Sequence, residues 1–130
     1  MHISVQQGDI LTAQTAAIVH PADSQGVVGS ATVVDGKFIQ APTMRHQAEP
    51  IPPKHVELAT VAALRCADES GFSSVALPAL GTTVGQVDMA TAAKIMMETI
   101  QMFRSDNTLT VVEVWLPNAA AYTEFTRYAA

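Results

Sequence analysis

The sequence predicts an α/β domain in which a mixed β-sheet is covered by helices. The second half of the chain alternates long helical patterns with short apolar strands, an order typical of α/β layers. Within it, Val75-Ala76-Leu77 is an apolar run with turn residues on both sides, which indicates a strand buried in a parallel or mixed sheet. The 130 residues suit one domain with one core, so we expect a single domain over 1–130.

Composition and charge argue against several classes of protein. Hydrophobic residues make up 48% and charged residues 15%, which predicts a folded chain and not a disordered one. The formal net charge is −5 with no visible basic patch, so we expect no nucleic-acid partner. No apolar run is long enough to span a membrane, no signal-peptide pattern is visible, and the lone Cys66 has no partner for an internal disulfide. We therefore expect a cytoplasmic protein that does not bind membranes.

The first half of the chain predicts short strands and turns. Asp35-Gly36 stands between two β-prone runs and predicts a hairpin with a type I′ turn. We predict strands at 2–7 and 16–19, a turn or one helical turn at 11–16, and an irregular connector with four prolines at 41–53.

The second half predicts three helices. Gly71 stands where the C-terminal cap of the first belongs, and Asp88 is a plausible N-cap of the second. Pro78 lacks an amide donor and should end the central strand. We predict helices at about 53–70, at about 88–104 and from 117–118 onward, with strands at 74–77 and 110–116.

Between the central strand and the second helix lies a segment with a glycine at each end, Gly81-Thr82-Thr83-Val84-Gly85. A strand, a glycine-containing loop and a helix start form the geometry that binds phosphate. The segment matches neither the P-loop nor the dinucleotide fingerprint, so taken alone it slightly favours an ordinary connection.

Other chemistry has little support in the sequence. The four histidines lack metal-ligand spacing, and Cys66 lies among apolar residues of a predicted helix, which indicates an inert thiol. We expect no metal and no cofactor.

Three segments together resemble the macro domain, the ADP-ribose-binding module. They are Gly8-Asp9-Ile10 followed by the strand and loop 17–24 (AIVHPADS), then 41–44 (APTM), and the segment 76–85 (ALPALGTTVG). The resemblance covers most of the chain, and the order of the segments within the strand and helix pattern is fairly specific. It implies a three-layer fold around a mixed sheet.

The resemblance also implies roles for individual residues. Asp9 would accept a hydrogen bond from the adenine amino group, with the amide of Ile10 beside it. The loop Gly81, Thr82, Thr83, Val84 and Gly85 would wrap the diphosphate and distal ribose, with possible hydroxyl donors from the two threonines; hydroxyls in loops often only cap turns.

The chain departs from the family pattern at several places. His20 and Asp23 occupy the positions of the family's two asparagines, with Ser24 following, and Asp23 cannot donate as an amide does. The stretch 26–31 leads directly into the hairpin, so one family helix is predicted to be missing.

The adenine-stacking position after the last strand also differs. It corresponds here to Leu116 or Pro117. Trp115 alternates to the other face of that strand, which favours a place in the core over a platform for adenine.

These residues lead to three hypotheses. The first is binding of ADP-ribose or a related adenine nucleotide. The second is an interaction or assembly module that has lost its nucleotide. The third, which we rank lowest, is hydrolysis of an ADP-ribosyl bond with Asp23 as general base. On the first hypothesis, Gly85→Val should abolish ligand binding while the fold survives, whereas substitution of Gly81 risks unfolding through a positive φ.

The missing helix predicts an exposed apolar surface on the hairpin. Some of Val33, Val34, Phe38 and Ile39 should lose their cover, and monomers rarely leave large apolar patches exposed. We therefore expect a homodimer with the hairpin at or near its interface. The alternative, only somewhat less favoured, is that the connector 41–53 folds back over the patch.

Overall fold

A computed structural model describes residues 1–20, 25–46, 50–83 and 85–129, and within them six strands and three α-helices. The strands are β1 (His2–Gln7), β2 (Ala17–Val19), β3 (Thr32–Val34), β4 (Phe38–Gln40), β5 (Ser74–Leu77) and β6 (Val111–Leu116). The helices are α1 (Lys54–Glu69), α2 (Met89–Met102) and α3 (Ala119–Thr126), and a 3-10 turn covers Ile10–Thr12. The predicted elements are therefore present, with ends that differ by a residue or two.

The strands form one mixed sheet in the order β1-β6-β5-β2-β4-β3. Every neighbouring pair is parallel except β3 and β4, which are antiparallel. The carboxyl ends of the five parallel strands consequently meet at one edge of the sheet. In open α/β sheets this is the edge at which ligands bind.

The three helices pack on one face of the sheet. Alternate residues of the inner strands turn to this face and join the main core with the apolar stripes of α1, α2 and α3. The largest fully buried side chains there include Leu64, Leu77, Met96, Ile100 and Phe125. The methionines of α2 that are buried, Met96 and Met97, are core residues, as expected from the helical pattern.

The opposite face, called the second face below, carries a much smaller apolar cluster. The 3-10 turn places Ile10 against Ile18 and Ala76 there, with Phe38 and Trp115 packed at its margins. In the described part of the chain between β2 and β3, residues 25–31 contain turns and a single bridge but no helix. Among the described residues, the layer on this face consists of the 3-10 turn, in agreement with the helix predicted to be missing at 26–31.

The predicted helix caps are confirmed. The Asp88 carboxylate accepts the Thr91 N–H at 3.2 Å and begins α2. Gly71 has φ +88°, and the Phe72 N–H donates to the Ala67 carbonyl at 3.0 Å. This left-handed glycine and its 6→1 hydrogen bond form a Schellman motif that ends α1.

The hairpin is confirmed, with a small change in its loop. Asp35 and Gly36 both have positive φ, +55° and +72°, as a type I′ turn requires. Val34 pairs with Phe38, however, so three residues separate the paired ends. Ile39 is fully buried because it turns to the helices, while Val33 and Val34 are exposed and Phe38 is half-buried.

Candidate functional site

Most of the residues singled out from the sequence meet at the carboxyl edge of the sheet. Gly8 and Asp9 follow β1, His20 follows β2, and the glycine loop follows β5. The first of these segments is tied to the end of β6, since the Gly8 N–H donates to the Leu116 carbonyl at 2.9 Å. The parallel sheet therefore brings together segments that lie far apart in the sequence. Asp23, Ser24 and Val84 lie outside the described residues.

Asp9 is exposed and has a local structural role. Its Oδ1 accepts the Leu11 N–H at 3.0 Å, which makes Asp9 the N-cap of the 3-10 turn. The side chain of Ile10 is buried in the cluster on the second face, so only its backbone is available to a ligand. Oδ1 of Asp9 thus accepts a hydrogen bond within the turn, and Oδ2 is the oxygen that faces the question of ligand binding.

The glycine loop is closed by its own backbone. The Val87 N–H donates to the Gly81 carbonyl at 2.9 Å, and the Gln86 N–H donates to the Thr83 carbonyl at 3.3 Å. Gly81 has φ +78°, the positive value expected from the sequence. Gly85 is buried, and a Cβ on it would lie 2.8 Å from the Gly81 carbonyl oxygen. The two glycines are therefore required for the loop to close on itself.

A wall on one side of the loop comes from the connector and α1. The Ile51 N–H donates to the Gly85 carbonyl at 3.0 Å, and the Ile51 side chain packs against both glycines. Val56, in the first turn of α1, also lies against Gly81. The connector segment 41–44, part of the family resemblance, is itself buried. The loop is thus covered by the chain on this side, while Thr83 is exposed.

The two loop threonines differ in what they offer a ligand. The Thr82 hydroxyl donates to the Ala79 carbonyl at 2.9 Å, so its proton is used within the turn. This matches the alternative role considered for it, capping a turn. Thr83 is exposed, whereas Thr82 is half-buried.

His20 is exposed and lines an open groove of about 450 Å³ on the second face. The backbone N–H of His20 donates to the Ile39 carbonyl at 2.8 Å and extends the pairing of β2 with β4. Leu11, Val34 and Phe38 form much of the remaining lining.

The assignment of Leu116 to the ligand site is wrong for its side chain. Leu116 is fully buried in the main core, because β6 turns Val112, Val114 and Leu116 to the helices. Strand alternation separates Trp115 from Leu116, but the two faces are the reverse of those expected: Trp115 turns to the second face, where its half-buried indole lies against Gly8. The Trp115 Nε1–H donates to Glu113 at 2.9 Å.

Asp68 is a residue that sequence reasoning missed. It is buried near the end of α1, on the opposite edge of the sheet from the glycine loop, and its carboxylate accepts six hydrogen bonds from the connection between α2 and β6. The donors are the Ser105 hydroxyl, the backbone N–H groups of Asp106, Asn107, Thr108 and Leu109, and the Asn107 side-chain amide, at 2.6–3.4 Å.

These hydrogen bonds determine the charge state of Asp68. Burial by itself raises the pKa of a carboxyl group. Here the donors, led by the Ser105 hydroxyl and the Leu109 N–H, outweigh burial and hold the pKa of Asp68 well below its usual value. The carboxylate is therefore ionised and structural. One signal was present in the sequence, since an acid in the last turn of a helix opposes the helix dipole and needs another partner.

The described residues contain neither a cluster of metal ligands nor a membrane-spanning helix. In 1–20, 25–46, 50–83 and 85–129, no three His, Cys, Asp or Glu side chains cluster so as to hold a metal ion. The helices described there are too short or too polar to cross a membrane. A groove of about 750 Å³ lies between α1 and α2, but its lining mixes acidic, basic and apolar side chains and includes none of the residues at the carboxyl edge.

Comparison with known sequences identifies the family. The macro domain family model matches residues 12–96. An uncharacterised protein of Aquifex aeolicus (strain VF5) is 33% identical over 137 residues, which include 79% of this chain and 83% of that protein. An uncharacterised protein of Aeropyrum pernix is 30% identical over 126 residues, with 71% and 67% covered. Each alignment is longer than the stretch of this chain that it includes. Both relatives therefore contain segments that have no counterpart in this chain.

Solved structures share the fold. A mutant of the Oceanobacillus iheyensis macrodomain, solved with ADPR, superposes with a TM-score of 0.78 at 19% identity, covering 96% of this chain and 89% of that one. The Trypanosoma brucei macrodomain in complex with ADP-ribose gives 0.82 at 14% identity, covering 99% and 69%. At these identities the likeness establishes the fold alone. Together with the family match over most of the chain, it shows that this chain belongs to the macro domain family.

Proposed function

We propose that the chain binds ADP-ribose or a related adenine nucleotide at the carboxyl edge of its sheet. The observation that carries the proposal is the closed loop from Gly81 to Val87, placed between the end of β5 and the start of α2. A curled backbone beside a helix N-terminus suits a diphosphate, because the first N–H groups of a helix carry partial positive charge. Structures of relatives named as complexes with ADPR, ADP-ribose and ADP support the choice of ligand.

The proposal assigns a separate protein contact to the diphosphate, the adenine and the distal ribose of the ligand. The diphosphate lies on the exposed side of the loop, at Thr83, because Ile51 covers the other side. The adenine amino group donates to Oδ2 of Asp9, since Oδ1 caps the 3-10 turn. His20, at the end of β2, lies beside the distal ribose. Asp23, Ser24 and Val84 stay within the proposed site through the family resemblance.

Asp9→Asn is expected to weaken ADP-ribose binding about 10-fold or more, by loss of a hydrogen bond to a charged acceptor. Asparagine caps a helical turn as well as aspartate does, so Oδ1 can keep its bond to Leu11. The amide nitrogen then replaces Oδ2 and opposes the adenine amino group, donor against donor. Isothermal titration calorimetry of wild type and variant with ADP-ribose, ADP and AMP measures the effect.

A change of base sharpens this test. Inosine diphosphate carries a carbonyl where ADP carries the amino group, so the Asp9→Asn variant should lose or reverse the preference of the wild type for ADP over inosine diphosphate. Asp106→Asn makes the same exchange at an exposed position near the opposite edge of the sheet and should leave both affinities unchanged. Absence of binding by the wild type at millimolar ADP-ribose would exclude the proposed function. Equal binding by wild type and Asp9→Asn would exclude the role of Asp9 only.

A further inference from the structure

The outer strand of the sheet, β3, has one side to which no strand of the described residues is paired. In the described residues β3 pairs with β4 alone and forms one end of the strand order. Its three residues, Thr32–Val34, are exposed and include neither proline nor a charged residue. Natural proteins usually protect an exposed strand edge with such residues, because unpaired backbone groups recruit another strand.

The backbone groups of Val33 point to this unpaired side. The Ile39 carbonyl accepts the His20 N–H, so Ile39 turns its hydrogen-bonding groups to β2. Ile39 is also the partner of Val33 in the antiparallel pair. In such a non-hydrogen-bonded pair both residues direct their N–H and C=O groups away from each other. Val33 therefore presents one donor and one acceptor outward.

Exposed apolar side chains concentrate beside the same strand. The described residues include six large hydrophobic residues with high exposure, and four of them lie on or near the hairpin. Val33 and Val34 belong to β3, Val27 lies in the turn that leads into it, and Leu11 shares a groove with Val34. Val27 is 74% exposed and Leu11 57% exposed. An apolar surface next to an unpaired strand edge is typical of an interaction site.

The occupant that fits this edge is a second copy of the chain. An antiparallel pair centred on Val33 is self-complementary, because a two-fold axis then relates the two strands. Thr32 of one copy then faces Val34 of the other, so no charged residues are opposed within the strand. Asp35 and Lys37 are the only charged residues between 26 and 40, and their charges cancel. The interface is thus locally neutral although the whole chain carries −5.

We propose that β3 pairs with β3 of a second copy about a two-fold axis through Val33, which joins two sheets into one. The short strand supplies only a few hydrogen bonds, and specific interfaces usually bury at least about 1,200 Å² in total. The exposed side chains of Leu11 and Val34, which line one groove, supply further contact. The pairing does not depend on the proposed nucleotide function.

Val33→Pro tests the pairing directly. The Val33 N–H points away from β4, so proline removes the outward donor and leaves the hydrogen bonds of the hairpin intact. We expect the wild type to show twice the 13.8 kDa mass of one chain by light scattering at tens of micromolar. Two hydrogen bonds are lost per dimer, so Val33→Pro should weaken self-association by at least about 10-fold. Val33→Ala retains the N–H and should weaken it less.

Two controls keep the result decisive. Met102→Lys changes an exposed apolar residue on α2 and should leave the mass unchanged. Hydrogen exchange on the wild type needs no variant: the Val33 N–H should exchange more slowly as protein concentration rises. A monomeric wild type at all concentrations overturns the proposal. A dimer whose affinity is the same in Val33→Pro, or a Val33 N–H whose exchange does not depend on concentration, also overturns it.

Discussion

Asp68→Asn is expected to lower the free energy of unfolding by about 3 kcal/mol, because it breaks a buried and fully satisfied charged network. The carboxylate accepts six hydrogen bonds through two oxygens. An amide has one oxygen, and its NH₂ group would face N–H donors from the connection between α2 and β6. The helix α1 and the start of β6 should both loosen.

Urea unfolding followed by circular dichroism measures this effect. Ser105→Ala is the matched comparison, since it removes one donor and leaves the carboxylate in place; it should cost about 1 kcal/mol. ADP-ribose affinity should stay unchanged in both variants at temperatures where they are folded, because Asp68 lies at the edge of the sheet opposite the glycine loop. A loss below about 1 kcal/mol in Asp68→Asn would contradict the central role of the network.

The same network predicts a dependence of stability on pH. The folded-state pKa of Asp68 is depressed below the unfolded value of about 3.9. Its contribution is therefore fully present above about pH 5 and is lost progressively as pH falls through 4 toward the folded-state pKa. The stability difference between wild type and Asp68→Asn should shrink over that range. A difference that stays constant from pH 7 to pH 3 would mean that Asp68 is not the group responsible.

The fold was predictable because its signals are local. The helical spacing of α1 and α2, the caps at Gly71 and Asp88, and the Asp35-Gly36 turn each act within a few residues. Strand alternation likewise separated Trp115 from Leu116, although it did not tell which of their two faces the helices cover. The carboxyl edge followed from the family resemblance and from the parallel sheet, which gathers the ends of its strands.

The features that escaped prediction depend on contacts distant in sequence. Asp68 has partners 37 to 41 residues further along the chain, and its local pattern shows only an acid near a helix end. The family resemblance gives Leu116 or Pro117 as the adenine-stacking position after the last strand, but strand alternation turns the Leu116 side chain into the core. The packing of Ile51 on the glycine loop joins residues about thirty positions apart, and no periodic pattern reports it.

Gly85→Ala is expected both to destabilise the protein by about 1–3 kcal/mol and to abolish ADP-ribose binding, because the added methyl group has no room. A Cβ at this position would lie 2.8 Å from the Gly81 carbonyl oxygen and 3.0 Å from two carbons of Ile51. The backbone contact cannot be relieved by a rotamer change, so the loop must open. Gly85→Val, a larger change, should then cost stability as well as binding, which differs from the survival of the fold expected from the sequence.

A double-mutant cycle with Ile51→Ala separates the two contacts. Shortening Ile51 removes the carbons at 3.0 Å and should recover part of the stability lost in Gly85→Ala, whereas the contact with the Gly81 carbonyl remains and binding should stay lost. Gly36→Ala is the control for a glycine substitution that makes no steric contact, since a Cβ added there would meet no atom within 4 Å. Because Gly36 has a positive φ, the substitution should cost about 1 kcal/mol through backbone strain. It should leave ADP-ribose binding unchanged. Denaturant unfolding and calorimetric titration of the four variants measure both quantities. Full ADP-ribose affinity in Gly85→Ala would show that the closed form of the loop is not the form that binds the diphosphate.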